Sequence, residues 1–291
     1  MKRYQITHRT VYDYDDVVTS SYGRCHLTPR ELDGQRVLVG AVQVDPEPAD
    51  EATRADGVGN IQTYFHVRSA HRRLEVVGTS TVEVAEIDPE LLVSPAARAG
   101  WEHARPTGSA AAHAVEYTLD LQPPEIGAAV NDYAAQIFTD GKPLIDAIVE
   151  LTSRIYTDFV YRSGSTTIST RVEEVMERRE GVCQDFARVA VACLRSRGLA
   201  ARYVSGYLST DPPPGRERMV GADATHAWAA VWLPGNRWLG LDPTNDQLVG
   251  DRHVTVGWGR DYEDVAPLRG VIYTDSLEST ITVSVDVAPI D

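Results

Sequence analysis

Cys183 has the surroundings expected of a nucleophilic cysteine. It follows Gly181-Val182, and the apolar residues after it recur at helical spacing: Phe186, Val189, Ala190, Cys193 and Leu194. This spacing predicts a helix over residues 183–197, ended by Gly198. A cysteine at a helix start meets free backbone N–H groups and the positive end of the helix dipole, which stabilise a thiolate. The same N–H groups could hold the oxyanion of a tetrahedral intermediate.

The other two cysteines lack these surroundings. A free cysteine is often only a small buried hydrophobe, and Cys193, in the middle of the apolar stripe, fits that description. Cys25 has no such sequence context and is also assigned a structural role. The three cysteines form no CxxC pair, so a structural zinc site is not expected. Unpaired thiols fit a reducing compartment.

A thiolate nucleophile needs an imidazole partner, and His226 is the histidine best placed to supply one. It lies at the start of a predicted strand, residues 225–233, after a long loop. Asp242 ends the next predicted strand, residues 237–242, where its carboxylate could orient the imidazole. Each residue alone has an ordinary explanation, as a half-buried histidine and as a turn residue before Pro243. Together with Cys183 they predict a catalytic triad.

The turn between these two strands decides whether His226 and Asp242 can meet. If residues 234–236 form a three-residue loop, Leu233 pairs with Arg237. His226 and Asp242 then share a face of the sheet on a diagonal, about 7–8 Å apart at the backbone. A two-residue loop would place them on opposite faces. The sequence therefore permits the pair without requiring it.

Other arrangements around His226 remain open at this level. Asp223, His226 and Cys183 could form a metal site, but an Asp-x-x-His spacing is common by chance, and we predict no metal. Trp228 either packs in the core or forms a wall of the substrate cleft. Residues 211–223 form a loop that is either a lid over His226 or, because of its prolines, a stiff connector.

The elements around the triad divide into two predicted units and a connector. Residues 1–88 predict an antiparallel β domain, with strands at 4–14, 36–44, 61–67 and 74–84. Residues 89–124 contain five prolines and predict a connector with at most one short helix. Residues 125–291 predict a core with helices at 126–137 and 144–159 and strands at 201–209, 225–233, 237–242 and 280–287. The predicted fold class is α+β.

Composition limits the partners and the location. The 291 residues suffice for a large core, and the net charge of −14 disfavours nucleic acid and anionic membranes as partners. The sequence has no apolar run of signal-peptide length and no 18-residue apolar stretch. A cytoplasmic location is predicted.

These motifs resemble those of the transglutaminase-like superfamily. The resemblance is carried by residues 181–187 (GVCQDFA), 202–207 (RYVSGY), 226–228 (HAW) and 238–244 (WLGLDPT), in the family's order of Cys, His and Asp. The region beginning at residues 4–8 (YQITH) is similar to the N-terminal domain of bacterial transglutaminase-like proteins. Residues 261–271 (DYEDVAPLRGV) resemble their C-terminal segment. The resemblance thus covers nearly the whole chain.

The resemblance implies a papain-like α+β core in which the nucleophile helix packs against an antiparallel sheet. Cys183 would be the nucleophile, His226 the general base and then acid, and Asp242 the residue that orients His226. The backbone N–H of Cys183 would donate to the oxyanion.

Animal transglutaminases also use an upstream tryptophan for the oxyanion, and no tryptophan matches that place here. Tyr161 is a weak substitute, because a packed aromatic is its simpler interpretation. Gln184 and Trp228 complete the candidates for oxyanion or substrate contacts.

The implied activity is acyl transfer from a peptide or protein amide through a thioester acyl-enzyme. Water as acceptor would make the protein a cysteine peptidase or amidase, which we favour. A lysine amine as acceptor would make it a cross-linking transglutaminase. A third alternative is an inert module that binds peptides. This chemistry requires no metal ion or cofactor, and because the sequence has no calcium-loop pattern we predict no calcium dependence.

Overall fold

The computed structural model describes residues 1–108, 111–210, 225–275 and 278–290, which contain fourteen strands and seven α-helices. The first five strands are β1 (Lys2–Cys25), β2 (Gln35–Asp45), β3 (Asp50–Ala55), β4 (Ile61–Val67) and β5 (His71–Val84). Then come α1 (Pro89–Val93), α2 (Pro95–Arg98), α3 (Ala112–Val115), α4 (Ala128–Ile137), α5 (Leu144–Asp158), β6 (Val160–Tyr161), α6 (Val172–Arg178), β7 (Glu180–Gly181) and α7 (Cys183–Ser196). The remaining strands are β8 (Ala201–Leu208), β9 (Thr225–Leu233), β10 (Arg237–Asp242), β11 (Gln247–Leu248), β12 (His253–Gly259), β13 (Leu268–Thr274) and β14 (Ser279–Ile290).

The first sheet is built around the long strand β1. Its order is β2-β5-β1-β4-β3, and β13 and β14 also pair with β1, all antiparallel. Buried residues alternate along β5, as expected for a strand with one face on a core. Residues 2–84 supply five strands of this sheet, and β13 and β14, from the end of the chain, complete it.

The connector holds more helix than predicted. The helices α1 to α3 and the 3-10 turns at Trp101–Ala104 and Glu116–Thr118 lie in the described part of residues 89–118. Asp88 accepts a hydrogen bond from the Glu90 amide at 3.0 Å, and Ser94 accepts one from the Ala97 amide at 3.2 Å. Because Pro89 and Pro95 stand in first turns, where a missing N–H costs nothing, these prolines begin helices instead of breaking them.

The second sheet carries the candidate site. Its order is β11-β10-β9-β8-β12, antiparallel throughout. Helix α7 packs on β9 and β8, and α4, α5 and α6 surround α7. The apolar stripe of α7, including Phe186, Val189 and Leu194, joins Ala229 and Val231 of β9 in one core. This is the α+β arrangement predicted for the core. No helix in the described ranges is long and apolar enough to cross a membrane.

A second cluster of buried hydrophobic side chains joins the two sheets. Tyr4 and Ile6 of β1 and Val82 of β5 pack with Tyr207 of β8 and Val254 of β12. The first sheet is thus attached to the edge of the second sheet formed by β8 and β12.

Candidate active site

Cys183 is the first residue of α7, as predicted. Gly181 lies directly under the first turn, where an added Cβ would stand 2.8 Å from the Cβ of Asp185. The buried Asp185 carboxylate accepts hydrogen bonds from the Val182 amide at 2.8 Å and from the Thr166 hydroxyl at 2.6 Å. Position 181 requires glycine because the Asp185 side chain, which caps the first turn of α7, occupies the space that a Cβ atom would need.

The helix start leaves two amides directed away from the helix. The Val182 carbonyl accepts from the amides of Asp185 and Phe186, at 2.9 and 3.1 Å. The amides before them, those of Cys183 and Gln184, have no acceptor within the helix because a helix leaves its first N–H groups without partners. They are suitable donors for an oxyanion formed next to the Cys183 sulfur.

The hairpin has the register that allows His226 and Asp242 to meet. Arg237 pairs with Leu233, and the turn residues Gly235 and Asn236 adopt positive φ of 90° and 61°. The three-residue loop is therefore confirmed. His226 Nε2 contacts Asp242 Oδ2 at 2.8 Å across the diagonal.

Asp242 is the centre of a larger hydrogen-bond network than the sequence predicted. Its Oδ2 also accepts from His253 Nε2 at 3.1 Å and from Asn245 Nδ2 at 2.8 Å. Its Oδ1 accepts from the Thr244 amide at 3.0 Å. Since Asp242 is 0% exposed, these donors replace the water that would otherwise solvate its charge.

The hydrogen bonds assign charges within the network. Burial raises the pKa of Asp242, but hydrogen bonds from His226 and His253 outweigh burial and hold the pKa well below its usual range. Burial alone lowers the pKa of His226, but hydrogen bonds to Asp242 and Cys183 outweigh burial and raise the pKa to about 9. His253 Nδ1 accepts from the Gly250 amide at 3.3 Å, so its Nε2 carries the proton donated to Asp242. The pKa directions favour a carboxylate at Asp242 and an imidazolium at His226.

The Cys183 thiol interacts with the His226 imidazole, and this interaction contributes to the raised pKa of His226. Because Asp242 occupies Nε2 of the ring, Nδ1 is the nitrogen left for the sulfur. Cys183 is half-buried and packs beside Ala187, Tyr203 and Ala227. The structure thus places His226 between Cys183 and Asp242.

The other two cysteines differ from Cys183 in burial. Cys25 and Cys193 are fully buried, and burial raises the pKa of each thiol to about 12. Both match the structural roles assigned from the sequence.

The three further candidates occupy different places. Tyr161 lies next to the helix start, paired with Gly181, and is 56% exposed; burial and the nearby Cys183 raise the pKa of its phenol. Gln184 is half-buried on the first turn of α7. Trp228 is buried, with its ring 6.0 Å from that of His226 and 5.2 Å from that of His253.

Sequence reasoning missed His253, Asn245 and Tyr203. Asn245 follows Asp242 by three residues in a turn, which was a usable signal for a side-chain hydrogen bond. Tyr203 is buried beside Cys183, and burial followed by the charge of Cys183 raises the pKa of its phenol well above the usual value. Nothing in the local sequence marked His253, because its strand β12 was not predicted.

The atoms of His226, Asp242 and His253 lie within 4.8 Å of one another and could in principle bind a metal ion. Their separations of 2.8 and 3.1 Å are ordinary hydrogen-bond distances. An ion there would displace the protons that now link the three side chains. The alternative metal ligand Asp223 and the predicted loop 211–223 lie outside the described residues.

Comparisons with family models agree with the fold and the motif order. Residues 4–83 match the bacterial transglutaminase-like N-terminal region, and residues 131–243 match the transglutaminase-like superfamily. The second match contains Cys183 and His226 and ends directly after Asp242.

Several whole proteins are also similar to this chain. An uncharacterized protein of Mycobacterium tuberculosis is 59% identical over 293 residues, covering 99% of this chain and 93% of that protein. A protein-glutamine gamma-glutamyltransferase of Pseudomonas aeruginosa is 26% identical over 117 residues, 40% of this chain and 18% of that protein. The solved structure of a suspected cysteine protease from Cytophaga hutchinsonii superposes with a TM-score of 0.73 at 18% identity, covering 100% of this chain and 91% of that one. This last likeness shows a shared fold.

Proposed function

Because the chain belongs to the transglutaminase-like superfamily, we propose that it is a thiol-dependent acyl-transfer enzyme acting on peptide or protein amides, with water as the usual acceptor. One observation carries the proposal. A single imidazole, His226, is hydrogen-bonded to a buried carboxylate and interacts with a cysteine at a helix start, which contributes to its raised pKa. Nucleophile, base and orienting group are thereby linked in a chain, which is what covalent acyl transfer needs.

In the first half-reaction, the Cys183 sulfur attacks the amide carbon and a C–S bond forms. The carbonyl oxygen becomes an oxyanion that accepts hydrogen bonds from the Cys183 and Gln184 amides. The intermediate then collapses, the C–N bond breaks, and His226 gives its proton to the departing amine or ammonia. Asp242 keeps the imidazole in the orientation that both proton transfers require.

In the second half-reaction, His226 takes a proton from water, whose oxygen attacks the thioester carbon; a C–O bond forms, and the C–S bond breaks when the intermediate collapses. The products are a carboxylic acid and the restored Cys183 sulfur. Hydrolysis is favoured because no tryptophan stands at the upstream oxyanion place and the exposed Tyr161 occupies the neighbourhood. Tyr203 is a further candidate to contact the reacting carbonyl, since its phenol lies in the same cluster as Cys183.

The alternative acceptor is a lysine amine, which would make the protein a cross-linking transglutaminase. The partial similarity to a gamma-glutamyltransferase favours this second candidate. Both candidate reactions form the same thioester, so they differ only in whether water or an amine attacks it. The cytoplasm is the proposed location, because three unpaired cysteines fit a reducing compartment.

The test is a panel of peptides that contain glutamine, asparagine and internal amide bonds, incubated with the enzyme and a fluorescent primary amine. Mass spectrometry reads hydrolysed, deamidated and amine-labelled products in one sample. The matched control pair is Cys183→Ala and Cys193→Ala, two substitutions on the same helix. We expect hydrolysed products with the wild type and with Cys193→Ala, and none with Cys183→Ala.

Amine labelling in place of hydrolysis would establish the transglutaminase alternative. If the Cys183→Ala variant still forms these products, Cys183 is not the nucleophile. A folded wild type that gives no covalent product with any peptide would favour the inert binding module.

A further inference from the structure

A large cavity lies on the second sheet, beside the catalytic network. Its volume is about 820 Å³. Arg202 of β8, Trp238 of β10 and Trp258 of β12 line it, together with residues 32–35 and 84–88 of the first sheet and its connection to α1. Neither Cys183 nor His226 lines this space, whereas Trp228 and His253 do. The cavity is thus separate from the thiol but shares a wall with the network around Asp242.

Arg202 is the unusual group in this cavity. Its side chain is only 9% exposed, and its Nε has no hydrogen-bond partner. Within the described ranges, no carboxylate forms a salt bridge with it. Burial lowers the pKa of Arg202 to about 9, and the charges that act on it are those of Tyr117 and Arg30. Among the residues that the structure describes, the guanidinium is therefore a buried cation without a carboxylate partner.

Two indole rings cover the guanidinium. Its central carbon lies 3.9 Å from the ring centre of Trp238 and 3.6 Å from that of Trp258. Arg30 packs over Trp258 as well, at 3.4 Å, but Asn60 accepts a hydrogen bond from Arg30 at 2.7 Å. Cation–π contacts offset part of the desolvation of Arg202. They leave its Nε without an acceptor, and the edge of a guanidinium suits a planar carboxylate.

The acidic residues around the cavity do not supply the missing charge. Asp88 pairs with Arg237 at 2.8 Å, where both side chains are largely exposed. Asp33, Glu86 and Glu116 also line the space, and none of them is among the charges that shift the pKa of Arg202. Their presence disfavours ligands that carry several negative charges, such as phosphates.

We propose that this cavity is a binding site for a monocarboxylate ligand, whose carboxylate pairs with the edge of Arg202 between the indole rings of Trp238 and Trp258. The rest of the ligand lies along the apolar wall that Val204, Trp228 and Ala230 provide. The ligand is either a small organic acid or the free C terminus of a peptide, which present the same carboxylate. The site does not depend on Cys183 or on the proposed acyl transfer.

Tryptophan fluorescence of the whole protein tests the site, because two of its five tryptophans contact Arg202. The probes are acetate, N-acetyl-trialanine with a free C terminus, the same peptide as its C-terminal amide, and inorganic phosphate, all at constant ionic strength. We expect saturable binding of acetate and of the free-acid peptide, and at least about tenfold weaker binding of the amide. If the peptide acid binds more tightly than acetate, the ligand is a peptide end; equal affinities indicate a small acid.

The matched variants are Arg202→Gln and Arg237→Gln, which each remove one positive charge from the lining of the cavity. Arg202→Gln should weaken acetate binding at least about tenfold, and Arg237→Gln by less than about twofold. If circular dichroism shows that Arg202→Gln does not fold, Arg202→Lys and the acid–amide comparison in the wild type decide the question.

The proposal is overturned if no probe binds the wild type saturably, which would make the stack purely structural. It is also overturned if the two glutamine variants bind alike, or if phosphate binds more tightly than either carboxylate.

Discussion

Asp242 and Arg202 are both buried charged residues of the second sheet, but their surroundings differ. Asp242 is surrounded by donors, namely His226, His253, Asn245 and the Thr244 amide. Arg202 is surrounded by aromatic rings and has no counter-charge within the described residues. The protein's own donors hydrogen-bond to the Asp242 carboxylate, whereas the Arg202 guanidinium has no carboxylate partner among the described residues.

The difference indicates what each region is built to do. A closed network holds a group in one protonation state and one orientation, which suits a residue that must position a catalytic imidazole. An open charge in a cavity is costly to the protein alone and becomes favourable when a ligand completes it. Substitutions in the two regions should therefore differ in their effects on activity and stability.

The largest effect is expected from Asp242→Asn. The substitution removes the charge that holds His226 and His253, so activity should fall by about 10⁴-fold. The free energy of unfolding should fall by about 3 kcal/mol or more, because a buried ionic partner is lost. Peptide-hydrolysis rates and urea denaturation measure the two effects.

Asp251→Asn is the control for Asp242→Asn. Asp251 pairs with the exposed Lys2 at 3.1 Å, and its loss should cost less than about 1 kcal/mol with activity unchanged. If the two variants lose equal activity and equal free energy of unfolding, the network around Asp242 contributes no more than an exposed ion pair does.

His253→Phe should have the next largest effect. It removes one donor to the Asp242 carboxylate, and kcat should fall about 10- to 100-fold while KM changes less than about twofold. His253→Gln keeps a side-chain N–H and should recover most of the loss. If Gln and Phe variants are equally impaired, His253 acts only through packing against Trp228.

The pH dependence of stability follows from His226. The folded-state pKa of about 9 is higher than the unfolded value of about 6.5. The stabilisation by His226 is therefore complete below about pH 6.5 and is lost as pH rises towards 9. The measurement is the difference in unfolding free energy between wild type and His226→Ala across this range. A difference that stays constant or grows with pH would mean that His226 is not charged at neutral pH.

The smallest effect is expected from Arg202→Met without ligand. Replacing a buried unpaired cation by an apolar side chain of similar size removes a desolvation cost and a cation–π stack together. The free energy of unfolding should change by no more than about 1 kcal/mol in chemical denaturation. If the free energy of unfolding falls by about 3 kcal/mol or more, Arg202 stabilises the fold as strongly as Asp242 does, which contradicts the contrast between the two regions.

Local signals were sufficient for the hairpin and the helix of the candidate site. Residues 234–236 predicted a turn with two possible registers, and the structure has the three-residue loop that places His226 and Asp242 on a diagonal. Gly181 and the apolar stripe located the start of α7 correctly. Both features depend on residues close in sequence, where spacing translates directly into geometry.

Features that depend on distant pairing were missed. The strand β3 (Asp50–Ala55) is fully exposed and lacks the apolar alternation that marks a strand. The strands β13 and β14 pair with β1 across about 250 residues, and no local pattern encodes such a register. His253 and the stack around Arg202 likewise join side chains from separate strands.

The most direct test of the catalytic assignment is the rate of Cys183 alkylation by iodoacetamide as a function of pH, read by mass spectrometry in wild type and His226→Ala. A thiolate paired with the His226 imidazolium should react at pH 6–7, where a free thiol reacts slowly, and His226→Ala should lose this reactivity. Cys25 in the same molecule is the internal reference. If Cys183 reacts no faster than Cys25, or if His226→Ala reacts like wild type, the thiolate–imidazolium pair does not exist.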